Sequence, residues 1–336
     1  MSRVAVVGAT GAVGREIIRC LETRNFPLQS LKPLASKRSA GRRLQVGGTM
    51  KQIEVLDHSS FRGVDLALFA SSGDNARRFA PLAAEAGAAV IDNSSAFRLE
   101  PGVPLVVPEI NGTEALVDNE SGKGTIVANP NCSTILLAMA LWPIHTAFGV
   151  KRAVVSTYQA ASGAGVGGMN ELTQQAADWV SHSPLQTPVF GRQYLWNVFS
   201  HNSTIQENGY NEEENKIMNE MKKIFACEIP IAATCVRVPV LRAHCESVNV
   251  SLTSPATEHE FRELLRSSPG VTVVDDREAN KFPEPLDASE QDQVLVGRIR
   301  QDPTQPRHQG YELFLSGDQL LKGAALNAVQ IAELFV

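Results

Sequence analysis

A valine-rich run, Val4-Ala5-Val6-Val7, passes directly into Gly8-Ala9-Thr10-Gly11-Ala12-Val13-Gly14 and then into an amphipathic stretch through Glu16, Ile17, Ile18 and Leu21. A continuous apolar run reads as a strand buried on both faces, the habit of a parallel sheet. Glycines placed between a strand and a helix allow a tight turn, close approach of a pyrophosphate to backbone N–H groups, and close packing of helix on sheet. The motif therefore predicts a dinucleotide site with Gly8, Thr10, Gly11, Ala12 and Val13 at the phosphates. An ordinary glycine-rich turn is the duller alternative.

The second predicted strand, residues 31–35, ends in Ser36-Lys37-Arg38-Ser39 rather than in Asp or Glu. An acidic residue there would accept hydrogen bonds from a ribose 2′-hydroxyl and repel a 2′-phosphate. Arg38 between Ser36 and Ser39 does the reverse, so NADP(H) is expected over NAD(H), against the alternative of a solvated charged loop. Strands are predicted near 53–55, at 65–70 and at 88–91, with a helix over 75–86. In Phe69-Ala70-Ser71-Ser72-Gly73 a strand ends in small polar residues, which places Ser71 at the cofactor. This alternation means a parallel sheet with ligands at the carboxyl ends of its strands.

A second motif carries the chemistry. The strand-like Thr125-Ile126-Val127-Ala128 meets Asn129-Pro130-Asn131, which cannot continue it, and Cys132-Ser133-Thr134 opens an apolar helical pattern through Ile144. Cys132 thus lies at or just before a helix N-terminus, where unpaired N–H groups and the macrodipole favour an anion. Such a setting lowers a thiol's pKa from roughly 8.5 and populates the thiolate nucleophile. The alternative is a small buried hydrophobe, the usual state of a free cysteine.

Composition sets limits. A length of 336 residues accommodates two domains, and 43% hydrophobic with 20% charged residues is globular. A net charge of −5 argues against nucleic acid or an anionic membrane as partner. There is no apolar run of the roughly 20 residues that span a bilayer. The chain starts almost at once on a strand, without a basic-plus-apolar leader, so a cytoplasmic location is expected. Five cysteines without a C-x-x-C pair fit reduced thiols and no metal site. Cys20, Cys227, Cys235 and Cys245 read as packing residues.

Beyond Cys132 the pattern changes to longer strands, at Val154-Val155-Ser156-Thr157-Tyr158, 233–238 and 247–252, with a helix over 258–267. That predicts a mixed or antiparallel sheet in an α+β second domain. A closing apolar helix over 323–332 is expected to pack back on the first domain. The fold class is α/β: a Rossmann-type domain of residues 1–131 plus 317–336, and a catalytic and dimerisation domain of 132–316.

Four motifs in order, Gly8 to Gly14, Asn129-Pro130-Asn131-Cys132-Ser133-Thr134, Tyr158-Gln159-Ala160-Ala161-Ser162-Gly163-Ala164-Gly165, and Cys235-Val236-Arg237-Val238-Pro239-Val240 followed by His244, resemble the aspartate-β-semialdehyde dehydrogenases. The resemblance runs along the whole chain, through Lys322-Gly323-Ala324-Ala325-Leu326-Asn327. It implies reversible reduction of L-4-aspartyl phosphate by NADPH to L-aspartate 4-semialdehyde and phosphate, in lysine, threonine, methionine and isoleucine biosynthesis. Cys132 would form a thioester, His244 would be the acid–base group, and Gln159 would orient the acyl intermediate. Arg237 would bind the α-carboxylate, Glu213 the α-amino group, Lys216 and Arg98 the phosphate, and Asn131 the phosphate or acyl oxygen. Ser162, Gly163 and Asn327 would join the cofactor site. A homodimer is implied, with tetramer formation left open.

Duller readings stand beside these. Glu213 and Lys216 suit an exposed i,i+3 pair, and Asn215, where the family commonly has Trp or Met, leaves the choice among Glu212, Glu213 and Glu214 open by one residue. Two other functions compete: an N-acetylglutamyl-phosphate reductase, whose acetylated substrate has less need of Glu213, and a non-catalytic paralogue acting as a binding subunit.

Overall fold

The protein is described here from a computed structural model, which covers residues 1–116 and 124–336. The chain divides into two compact units, Met1–Asn131 with Ala324–Val336, and Cys132–Gly323.

The first unit runs β1 (Ser2–Val7), α1 (Ala12–Thr23), β2 (Leu28–Ala35), β3 (Arg43–Val46), β4 (Thr49–Gln52), β5 (Glu54–Val55), β6 (Leu66–Phe69), α2 (Gly73–Glu85), β7 (Ala89–Asp92), α3 (Pro108–Asn111) and β8 (Ile126–Ala128). Six strands form one sheet in the order β5-β2-β1-β6-β7-β8, every pair parallel. The order reverses at β1, and ligand crevices open at such a switch point, outside the carboxyl ends of the strands. β1 is central, and Val4 to Val7 are buried because both sheet faces are covered. A Cβ at Gly14 would lie 2.2 Å from the Gly8 carbonyl oxygen, so the glycine is what lets α1 pack on the turn. β3 and β4 form a separate ribbon in the segment after Arg38, an element without an apolar period strong enough to predict.

The closing helix, Leu326–Glu333, belongs to this unit. Arg24 at the end of α1 pairs with Glu333 at 2.6 Å, and Asn327 Nδ2 donates to Val106 O and Asn129 Oδ1.

The second unit contains α4 (Cys132–Phe148), β9 (Val150–Gln159), α5 (Gly165–Val180), β10 (Phe199–Ser200), α6 (Glu212–Phe225), β11 (Ile231–Arg237), β12 (His244–Leu252), α7 (Glu258–Arg266), β13 (Val271–Val273), α8 (Pro285–Ala288), β14 (Val294–Gln301) and β15 (Gly310–Gly317). Its seven-stranded sheet has the order β10-β11-β9-β12-β15-β14-β13. The β11–β9 and β13–β14 pairs are parallel and the others antiparallel, the mixed sheet expected of this half. α4 is apolar around nearly its whole circumference because it is a core helix, packed between this sheet and α6 and α7. The burial fixes Cys132, its first residue.

Residues 317–323, assigned by the sequence to the first domain, lie with the second unit. Asp318 holds them there: its buried carboxylate accepts from Arg242 Nε and the Glu290 N–H, both at 2.7 Å, and from the Leu320 N–H at 2.9 Å. The helix predicted over 323–332 accordingly starts differently, with a π turn at Leu321–Ala325 ahead of Leu326.

Candidate active site

In the first unit the residues predicted for a dinucleotide gather at the end of β1. Gly8 has φ +85°, and its neighbour across the sheet end is Ala70, ahead of Ser71. α1 begins at Ala12 with Gly11 as N-cap and no side-chain cap, so the N–H groups at its start have no capping side chain. Thr10 and Val13 flank them, half-buried. Ser71 Oγ is buried without a hydrogen-bond partner among the described residues. Ser36 and Arg38 are exposed in a turn closed by Ser39 N–H to Ser36 O at 2.9 Å. An uncapped helix start, an orphaned hydroxyl and an exposed cation with two serines fit a phosphorylated dinucleotide. Asn327 is different: both amide hydrogens go to the protein, so it braces Asn129 instead of offering donors.

Arg98 and Asn131 are also in this unit and buried. Arg98 Nε donates to Asn129 O at 2.9 Å and Nη2 to Asn93 O at 2.8 Å, which fixes the guanidinium.

In the second unit four elements deliver a single constellation. Cys132 opens α4 and is partly exposed, while Gln159 ends β9, Arg237 ends β11 and His244 begins β12, all three buried. Gln159 Nε2 reaches Ser133 Oγ at 3.1 Å and Glu213 Oε1 at 3.3 Å; Lys216 Nζ lies 3.4 Å from the other Glu213 oxygen. Glu213 and Glu214 stand in different settings. Glu214 is spent, one oxygen in the capping box with Asn211 and the other accepting from the Cys235 N–H, whereas Glu213 faces Gln159. Asn215 joins a polar cluster with Gln206 and Asn208.

Arg237 donates from Nη1 to Ala160 O at 3.2 Å and from Nε to Asn202 Oδ1 at 3.2 Å. A Cβ at Gly163 would stand 2.9 Å from Arg237 Nη1 and 3.1 Å from His244 Nε2, so Gly163 forms the wall against which both rest. Its neighbour Ser162 has an unpartnered buried Oγ. A Cβ at Gly323 would likewise stand 3.0 Å from Cys132 Cβ. His244 is fully buried, which lowers its pKa to about 3; Arg237 pushes in the same direction. Its Nδ1 accepts the Ala160 N–H at 3.0 Å, so the neutral ring carries its proton on Nε2, which has no partner among the described residues. In this tautomer His244 presents a donor from Nε2.

A semialdehyde dehydrogenase NAD binding domain model matches residues 3–118, and a semialdehyde dehydrogenase dimerisation domain model matches 141–322. An aspartate-semialdehyde dehydrogenase of Synechocystis is 51% identical over 99% of this chain and 97% of its own length. The chain belongs to the aspartate-semialdehyde dehydrogenase family. The family member of Bacillus subtilis is 44% identical over 98% of this chain and 96% of its own. A crystal structure of aspartate semialdehyde dehydrogenase II from Vibrio cholerae, complexed with ASA, superposes with a TM-score of 0.94 at 40% identity, covering 100% of this chain and 98% of that one.

Three residues near the predicted set escaped sequence reasoning. His201 contacts Arg237 Nη2 through Nε2 at 2.7 Å. Tyr194 donates to Val238 O at 2.5 Å and Gln159 O at 3.3 Å, clamping two strand ends. Glu246, two residues along β12 from His244 and so on the same face, is fully buried with both oxygens unpartnered among the described residues. Burial pushes its carboxyl well above the usual range. Of the cysteines read as packing, Cys20, Cys235 and Cys245 are buried, but Cys227 is half-buried with Sγ 3.6 Å from His145 Nε2. Among the described residues no cluster of His, Cys, Asp and Glu could hold a metal, and no helix is long and apolar enough to cross a membrane.

Proposed function

We propose that this chain reduces L-4-aspartyl phosphate with NADPH to L-aspartate 4-semialdehyde and phosphate, reversibly, through a thioester on Cys132. One observation carries the reading: a partly exposed cysteine at the start of a core helix shares a unit, and a wall of strand ends, with a guanidinium, a carboxylate and a neutral imidazole. That is a nucleophile with receptors for both charged groups of an α-amino acid.

NADPH, when bound, supplies a hydride. Everything else falls to side chains. The Cys132 thiolate attacks the acyl carbon, the carbon–oxygen bond to phosphate breaks, and phosphate leaves with the electron pair. Arg237 binds the α-carboxylate, Glu213 the ammonium, and Gln159, held by Ser133 and Glu213, orients the acyl group. Arg98, Lys216 and Asn131 serve the phosphate. Hydride addition turns the thioester into a tetrahedral oxyanion, which collapses to the aldehyde and returns the thiolate. No proton has to move in that collapse. The oxyanion needs a donor, and the free Nε2–H of His244 is one.

Arg38 with Ser36 and Ser39 reads the 2′-phosphate, giving the preference for NADP. The dimerisation-domain match supports a homodimer. The free cysteines suit a reducing cytoplasm. Glu213 disfavours an N-acetylated substrate, and the full set of reacting residues disfavours a silent paralogue. The deciding assay is NADP+ reduction with L-aspartate 4-semialdehyde, with and without phosphate, beside N-acetylglutamate semialdehyde. Phosphate-dependent turnover of the aspartyl aldehyde alone is expected. Turnover of the acetylated substrate would overturn the role of Glu213, and silence with both would overturn the enzyme.

A further inference from the structure

Arg237 has five N–H groups, and the three that the fold uses go to neutral acceptors: Ala160 O, Asn202 Oδ1 and His201 Nε2. One N–H on each terminal nitrogen is left for a carboxylate. His201 makes the shortest of these contacts, 2.7 Å. A guanidinium can only donate, so the His201 Nε2 must accept and the ring's proton must sit on Nδ1. Nδ1 lies 3.0 Å from Ser203 Oγ and donates to it; the Ser203 N–H, 3.3 Å from the same nitrogen, makes no bond in this tautomer. Ser203 Oγ in turn accepts the Glu213 N–H at 3.3 Å. A continuous chain thus runs from the arginine at the end of β11, through His201 and Ser203, to the start of α6 where Glu213 sits.

We propose that His201 is the positioning residue of the substrate's amino-acid receptor, holding the Arg237 fork at a fixed distance from Glu213 so that an α-carboxylate and an α-ammonium on one carbon are read together. The backbone supports this. The His201 N–H donates to Cys235 O at 2.8 Å, and Phe199 of edge strand β10 pairs with Arg237. The ring therefore moves with the strand that carries its arginine. A neutral acceptor leaves the guanidinium charge for the substrate, where a carboxylate in the same place would cancel it. A protonated His201 would lose the acceptor and set a second cation against Arg237. Burial keeps the ring neutral, lowering its pKa to about 4, with Arg237 and Lys216 pushing the same way and Glu213 opposing. His244 is the remaining titratable ring in electrostatic reach.

The test rests on the aspartyl reading above and separates from it, because wild-type turnover of L-aspartate 4-semialdehyde is established first. His201→Ala is then expected to raise KM for that aldehyde about ten- to hundredfold, the range for losing a hydrogen bond to a charged group. KM for NADP+ and phosphate should stay within about twofold and kcat within about threefold. His201→Gln, whose amide oxygen can accept from the guanidinium, should recover most of the loss. Equal changes in all three KM values, or a fall confined to kcat, would overturn the proposal in favour of a general structural role. So would an unchanged KM for the aldehyde. If His201→Ala does not fold, Ser203→Ala decides the matter: it breaks the link to Glu213 and should raise only the aldehyde KM.

Discussion

Replacing His244 distinguishes a hydrogen-bond donor from a proton carrier. The ring is held at Nδ1 by the Ala160 N–H, 3.0 Å away, and its Nε2 points to a buried position with no protein partner among the described residues. With the pKa lowered to about 3, the ring stays neutral at pH 7 and presents N–H from Nε2 throughout. Removing one pre-oriented donor from a developing oxyanion costs about 10²- to 10³-fold in kcat, or roughly 3–4 kcal/mol. His244→Ala should show that loss, together with about 1–3 kcal/mol of stability from the orphaned Ala160 N–H. Gln places an amide N–H near the position of Nε2, so His244→Gln should retain activity about tenfold or more above the Ala variant. The assay is the rate of the NADPH-consuming step in rapid mixing, in water and in deuterium oxide across pH 5–8. A solvent isotope effect close to one and no ionisation near 6.5 are expected. Equal inactivity of the Gln and Ala variants, or a substantial isotope effect on the hydride step, would refute the donor role and restore the acid–base one.

Three other outcomes follow from the structure. Cys132→Ser should abolish turnover and thioester formation while leaving NADPH affinity, measured by fluorescence, within about twofold, since a hydroxyl ionises far less readily than a thiol. Arg38→Ala should weaken NADPH and spare NADH; an unchanged preference in steady-state kinetics would mean that the 2′-phosphate is read elsewhere. The buried Glu246 carboxyl keeps its proton in the native state at pH values where the unfolded chain has lost it, so the native state binds more protons above about 4.5 and its stability falls as pH rises. His201 and His244 act oppositely: the unfolded chain takes up their protons below about 6.5 while the native rings wait until about 4 and about 3, so stability falls as pH falls through that window. Thermal melts of Glu246→Gln should lose the alkaline decline and keep the acid one; an unaltered alkaline limb would place the titration on another group.

The local grammar of the chain was enough for the first sheet, the glycine turn and the helix start at Cys132. β1 is buried on both faces and therefore uniformly apolar, glycines are needed where α1 meets Gly8, and a helix start is written in Asn-Pro-Asn followed by Cys-Ser-Thr. These are signals between neighbours in sequence. The second sheet was legible only as a class, because β9, β11, β12 and β15 pair across long separations; in the first unit the β3–β4 ribbon was missed because β4 has no buried residue. The different settings of Glu213 and Glu214 also required the fold: on one helical turn the two are equivalent until β11 claims Glu214 through the Cys235 N–H. The His244 tautomer depends on a backbone N–H 84 residues away. His201 drew no attention in sequence because its meaning comes from the pairing of β10 with β11, which sets an imidazole against a guanidinium. Sequence thus determined which groups the protein owns and the elements that bear them; tertiary structure decided their charge states and partners, since both depend on burial and on atoms brought together from distant parts of the chain.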